Sequence, residues 1–343
     1  MKLGPTGRRG ALTLSLASLL LSLALLETGL RLGRPVASMA PPEAADDPWR
    51  TLLHRRSPIP GLAYELVPGA RSFAQGAVIE TNSLGMRDAE PLDAATPGLT
   101  RIAALGDSFT FGFGVPAEST YPEVLERLLT ASGREQGRRF EVLNMGVGGY
   151  STPDEELVLR YKALDLAPKL VLVGYFLNDP EIDPIQPLQA YFHPVKWWQH
   201  SHLLRLLAAA PSRFGEDGGA GPDYFYALHD PAGRKWKSVE AAFARMHADA
   251  APRDVPVVVV IIPEPPLGGW DRYAYDDLHL QIAAAARSAG LDVLDLLPRF
   301  REEDALRLRV IPGDHHLSPA GHDLAARAIF DKLRADYAAR LGL

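Results

Sequence analysis

KLVLVGYF (169–176) and VPVVVVIIP (255–263) decide the fold. Both are near-continuous apolar runs, as expected of strands covered on both faces. Working outward, RIAALG (101–106), EVLNMG (141–146) and LDVLDL (291–296) are further short runs of the same kind. Helical patterns lie between them. YPEVLERLLTAS (121–132) spaces its apolar residues by three and four, and an alanine-rich stretch covers 272–289. Thr152 and Pro153 stand at the N-cap and first positions of a helix running to about Leu166, and Ser318 and Pro319 open a last amphipathic helix to about Arg340. Strands alternating with helices predict an α/β fold with a parallel, doubly wound sheet.

The chain has 343 residues, 47% hydrophobic and 23% charged, the balance of a globular protein with a substantial core. A net charge of −6 leaves no bulk positive field to attract nucleic acid. Cysteine is absent, which excludes a disulfide framework, a thiolate metal site and a cysteine nucleophile.

Lys2, Arg8 and Arg9 precede ALTLSLASLLLSLALL (11–26), a run without charge. Its length of about 24 Å is a little short of a bilayer core of roughly 30 Å, and flanking residues could extend it. Residues 1–35 therefore read as a signal anchor with a cytoplasmic N-terminus or as a cleaved signal peptide; a buried core helix is the weaker third reading. Either of the first two places the rest of the chain outside the cytoplasm, with the anchor holding it at the periplasmic face of the inner membrane. Residues 36–100, rich in Pro, Ala and Asp, read as a stalk and irregular extension. The catalytic domain is expected over 101–343. An insertion at about 180–235 carries Trp197, Trp198 and a GEDGGAG loop, and reads as a lid or linker.

In an open parallel sheet the reactive groups stand beyond the carboxyl ends of the strands. The first run ends in Gly106-Asp107-Ser108, and the second in Asn144 and glycines 146, 148 and 149. Asn178-Asp179 ends the third, and Asp314, His315 and His316 precede the final helix. A serine, a histidine, a carboxylate, a glycine turn and an asparagine are the parts needed for acyl transfer: nucleophile, base, orienting partner and oxyanion donors. Each has a bland reading as well. Asp107 and Ser108 could cap a helix, the glycines could form an idle turn, Asn178 could cap a turn before Pro180, and Asp314 with His316 could be a surface pair. His322 reads as packing in the last helix. A metal site would need further Asp and His ligands at strand ends, and no phosphate-binding Gly-x-x-x-x-Gly-Lys loop is present. No cofactor or metal is expected.

Taken in order, these blocks resemble the GDSL or SGNH hydrolase family, over about 101–179 and 255–340. GDSFTFGFGV (106–115), NMGVGGYS (144–151), the Asn-Asp pair at 178–179 and DHHLSPAGH (314–322) carry the likeness. NSLGMRD (82–88) resembles a leader found in membrane-anchored members. The resemblance implies a flavodoxin-like three-layer α/β/α sandwich with a mainly parallel, roughly five-stranded sheet. It also implies Ser108 as nucleophile, His316 as base and Asp314 as its partner, with Ser108, Gly149 and Asn178 as oxyanion donors. Two positions depart from the family. Phe176 occupies a glycine position, with Gly174 two residues earlier, and Asp314 stands two residues before His316 where the family spaces them by three. His315 or His316 could be the base; the Leu-Ser-Pro-Ala-Gly stretch that follows favours His316.

The expected activity is ester hydrolysis through an acyl-enzyme, on acylated carbohydrate, lipid or small esters. A polysaccharide O-acetyltransferase using the same site is the alternative, and a catalytically silent envelope binding protein the third reading.

Overall fold

The computed structural model describes residues 5–33, 52–74, 76–134, 137–184, 187–192, 201, 203–204, 222–311 and 313–343. The chain forms two compact units, Met1–Asp46 with His193–Gly219, and Asp47–Phe192 with Ala220–Leu343.

In the first unit the leucine-rich run lies in a helix, Pro5–Gly33. The sequence predicts a transmembrane span here, but among the described residues no helix is long and apolar enough to cross a membrane. Membrane anchoring thus has no support in the structure. The leucines are interrupted by hydroxyls: Ser22 donates to the Ser18 carbonyl at 2.9 Å and Thr28 to that of Ala24 at 2.8 Å.

The second unit begins with two antiparallel pairs, β1 (His54–Arg56) with β2 (Tyr64–Leu66), and β3 (Arg71–Ala74) with β4 (Ala77–Glu80). Here the expected irregular extension differs from what the structure holds beyond residue 51. Leu53, Leu62, Tyr64, Leu66, Ile79 and Met86 are buried in the same core as the sheet. Strands of three or four residues are too short to show a period in sequence. Residues 36–51 of the expected stalk and extension lie outside the described residues, as do Trp197, Trp198 and the GEDGGAG loop. Of the insertion's described part, Pro187–Phe192 and Pro222–Leu228 are helical, with Phe192 and Phe225 buried.

The central sheet comprises β5 (Leu99–Gly106), β6 (Arg139–Asn144), β7 (Leu170–Tyr175), β8 (Val257–Ile261) and β9 (Asp292–Asp295). All four pairings are parallel and the order is β6-β5-β7-β8-β9. This is the flavodoxin-like arrangement, and its switch point lies between β5 and β7. Residues 170–175 and 257–261 are buried at every position, which explains their unbroken apolar runs. Arg101 and Glu141 are the buried charged residues of β5 and β6: they face each other across the ladder and pair at 2.7 Å. A final hairpin, β10 (Arg309–Ile311) with β11 (Asp314–Leu317), precedes the helix Pro319–Asp336.

Helix starts follow capping chemistry. Ser318 accepts from the Gly321 N–H at 3.2 Å, as its position predicts. The helix Thr152–Val158 is capped one residue earlier than the sequence reading has it. Ser151 is the N-cap, and its N–H and hydroxyl both donate to Asp154. That helix ends in a widened turn over Leu159–Ala163 and a tight one over Leu164–Leu166.

Candidate active site

Ser108 opens a single helical turn, Ser108–Phe111, at the carboxyl end of β5. Asp107 caps that turn, its Oδ1 accepting from the Phe109 N–H at 2.8 Å. The turn lies very close to the sheet. A Cβ on Gly106 would stand 2.0 Å from Thr110 Oγ1, one on Gly174 2.5 Å from the same atom, and one on Gly146 2.4 Å from the Phe111 N. Glycine at these three strand ends is therefore what lets the serine descend into the crevice. The glycine displaced from position 176 thus has a role at 174, while Phe176 is fully buried and stacks on Phe109 at 4.0 Å.

His316 reaches Ser108 from β11. Its Nε2 lies 2.8 Å from Ser108 Oγ and its Nδ1 2.6 Å from Asp314 Oδ1. The His316 N–H also donates to Asp314 Oδ1, at 2.9 Å. With Nδ1–H donating to the carboxylate, Nε2 is left as an acceptor for the serine hydroxyl. The imidazole is clasped by two rings, Phe113 at 4.2 Å and Phe109 at 4.9 Å between centroids. Burial raises the Asp314 carboxyl, but the hydrogen bonds from the His316 ring and backbone outweigh it and hold the group at about 2. Asp314 is therefore ionised at every pH where the fold is of interest. His315 does not make this contact; burial and the neighbouring His316 push it down to about 4.

Asp107 is also within reach of Ser108 Oγ, at 3.3 Å. It is fully buried, and desolvation pushes its carboxyl up against hydrogen bonds from Phe109, Ser108 and Asn178 and the nearby His316. Asn178 follows β7, and its side chain hydrogen-bonds Asp107, the residue before the nucleophile. The third expected donor, Gly149, has φ +81, where an L side chain is strained, and a Cβ there would stand 2.9 Å from the Tyr64 hydroxyl. Its turn is clamped by Tyr64 Oη donating to the Gly148 carbonyl at 2.8 Å and Gln189 Nε2 to that of Gly149 at 2.7 Å. A Cβ on Gly148 would touch Ser108 Cβ at 4.0 Å, so this turn abuts the nucleophile. Among the described residues the Gly149 N–H donates to nothing, and Ser108, as the first residue of its turn, has no intrahelical acceptor. Both N–H groups are thus left without an acceptor at the strand ends that carry the serine and the glycine turn.

Several residues that hold this site are absent from the sequence reading. Arg87, in NSLGMRD, is almost fully buried. Its Nη1 donates to the carbonyls of Phe111 and Gly112 at 2.9 and 2.6 Å, and its Nη2 to that of Val115 at 2.7 Å, bracketing Phe113. Asp88 accepts from the Asn144 N–H at 2.9 Å, just ahead of the glycine turn. His322, expected to pack, does so: it is buried, accepts from the Tyr121 N–H at 3.2 Å, and burial pushes it down to about 3. Near Asp107 lie Glu155 and Asp179, both buried and both pushed well above the usual carboxylate range, first by desolvation and then by neighbouring carboxylates, Asp107 and Asp154 for Glu155 and Glu155 and Asp107 for Asp179. Among the described residues no group of three or more His, Cys, Asp or Glu is arranged to hold a metal ion.

The model of the GDSL-like lipase/acylhydrolase family matches residues 104–324, from the end of β5 into the last helix. The chain belongs to this family. It is a hydrolase of ester bonds. No curated protein matches the sequence. Among solved structures, a lipase/acylhydrolase from Enterococcus faecalis is similar at 14% identity, covering 69% of this chain and 96% of its own, with a TM-score of 0.43. An acetylxylan esterase from Geobacillus stearothermophilus is similar at 16% identity over 71% of this chain and 94% of its own, with a TM-score of 0.41.

Proposed function

We propose that this GDSL hydrolase is a serine esterase that works through an acyl-enzyme. The observation that carries the reading is the continuous hydrogen-bond path from Ser108 Oγ through His316 to Asp314. Ser108 attacks the ester carbonyl while His316 Nε2 takes its proton, and Asp314 fixes the tautomer and stabilises the imidazolium. The oxyanion is held by the N–H groups of Ser108 and Gly149 and by the Asn178 amide. His316 then protonates the leaving alcohol, and water admitted in its place is activated by the same ring to release the acid. The reading includes export: Lys2, Arg8 and Arg9 ahead of the leucine-rich helix support a location outside the cytoplasm. Fractionation of cells carrying the full chain tests that part, and recovery with cytoplasmic markers overturns it.

The deciding experiment uses 4-nitrophenyl acetate and a fluorophosphonate. Wild-type protein turns over the first and is labelled once by the second, at Ser108. Ser108→Ala loses both; turnover that survives this change removes the serine from the mechanism.

A further inference from the structure

The alcohol half of the ester must lie beside His316, because that ring returns the proton to the departing alkoxide. A polar neighbour of the His316 ring, other than the Asp314 that bonds its Nδ1, is therefore placed to read the alcohol. That neighbour is His315, its ring 5.0 Å from the His316 ring and stacked on Phe109 at 5.9 Å and Phe176 at 5.5 Å. Its Nδ1 lies 4.0 Å from Glu264 Oε1. Glu264 follows β8, at the same carboxyl edge of the sheet as the serine.

This carboxyl group is held in place without being used up. Arg309 Nη1 donates to the Pro265 carbonyl and stands 4.0 Å from Glu264 Oε1. Tyr273 bonds the Glu264 backbone, and its hydroxyl is tied through His279 to Asp295 by contacts of 2.7 Å each. Burial pushes the Glu264 carboxyl up, with Arg309 opposing. Yet among the described residues the carboxyl takes part in no hydrogen bond, and its side chain keeps 21% of its exposure. A separation of 4.0 Å is too long for a direct bond between carboxyl and imidazole. It suits one hydroxyl seated between them, donating to one and accepting from the other at about 2.8 Å.

From this we infer that Glu264 and His315 form a subsite for a hydroxyl on the alcohol half of the substrate, so that the preferred substrates are esters of polyhydroxylated alcohols such as sugars. The inference rests on the serine-esterase reading above and names its substrate class. An ester of a simple long-chain alcohol presents only chain at this place, and a polar pair left open against hydrocarbon counts against it.

The test compares two esters with one acyl group, that of the 4-nitrophenyl ester that wild type cleaves fastest: a mono-acylated methyl glucoside and the corresponding ethyl ester. Wild type favours the glucoside. Glu264→Gln, and His315→Phe, which keeps the stacked ring but removes its nitrogens, each lower the glucoside-to-ethyl ratio of kcat/KM about tenfold or more. The loss falls chiefly on KM for the glucoside. The rate of fluorophosphonate labelling of Ser108 reports that each variant is folded. An unchanged ratio, or equal losses on both esters, overturns the subsite and leaves the esterase standing. A wild-type protein that cleaves neither ester and takes no fluorophosphonate label overturns the esterase reading, and the subsite with it.

Discussion

Asp314 and Asp107 both stand within a hydrogen bond of the reactive pair, and their surroundings push their carboxyls in opposite directions. Asp314, on the β10–β11 hairpin, is a quarter exposed and is drawn down to about 2 by two donors from His316. Asp107, at the end of β5, is fully buried and pushed up by desolvation. The difference assigns a task to each wall of the crevice. The hairpin carries the fixed negative charge on the far side of the imidazole, where an imidazolium needs it. The sheet end disfavours ionisation of its carboxyls, and so weakens the negative charge beneath the serine that would oppose an oxyanion growing above it.

If that division is right, Asp314→Asn is the most damaging of the carboxyl-to-amide changes. It costs about ten-thousand-fold in kcat, because the amide no longer fixes the Nδ1–H tautomer; steady-state kinetics on 4-nitrophenyl acetate measure it, and a loss under a hundredfold breaks the comparison. On the sheet side the largest effect falls on stability. Arg87→Met strips the donors from three buried carbonyls and costs about 3 kcal/mol, a Tm lower by roughly 6–12 °C in a domain of this size. A melting curve that matches wild type contradicts the role given to Arg87. Asp107→Asn keeps the cap to Phe109 and removes only a charge the fold already disfavours, so kcat falls less than about tenfold. A loss as deep as that of Asp314→Asn shows that Asp107 works ionised.

Glu155→Gln gives the smallest change and the cleanest sign. Neither Glu155 oxygen has a hydrogen-bond partner among the described residues, and its folded-state pKa is raised. A raised group favours the fold below its unfolded value, near 4.3, and loses that contribution as pH climbs through the folded value. The glutamine variant is spared this loss. Its Tm advantage over wild type widens from pH 4 to pH 8, and an advantage independent of pH removes the electrostatic explanation.

The sheet was legible because strands buried on both faces have no polar residue to interrupt them, as at 170–175 and 257–261. The site residues were legible in part. Ser108, His316 and Asp314 follow from motif order, and the structure brings them together. The choice between His315 and His316 needed the ring geometry, since both lie within two residues of Asp314 in sequence. Arg87 escaped for a different reason. Its partners are the carbonyls of Phe111, Gly112 and Val115, and a backbone carbonyl leaves no mark on the side-chain pattern. Glu264 escaped because it follows a strand with no recognisable motif and meets His315 only through the crossing order of the sheet. The β1–β4 hairpins were too short for their period to be read.

Arg87 also separates two boundaries that are easily taken for one. The region recognisable by descent starts at residue 104, just ahead of the nucleophile. The guanidinium that holds the loop behind the nucleophile lies seventeen positions earlier in the chain, in a segment whose Leu53, Tyr64 and Ile79 help fill the same core. A gene fragment cut to the recognisable region would encode every reactive group and lack the counterpart that keeps them in place. The smallest inheritable unit of this enzyme is therefore longer than its signature, and its start is to be sought before Leu53.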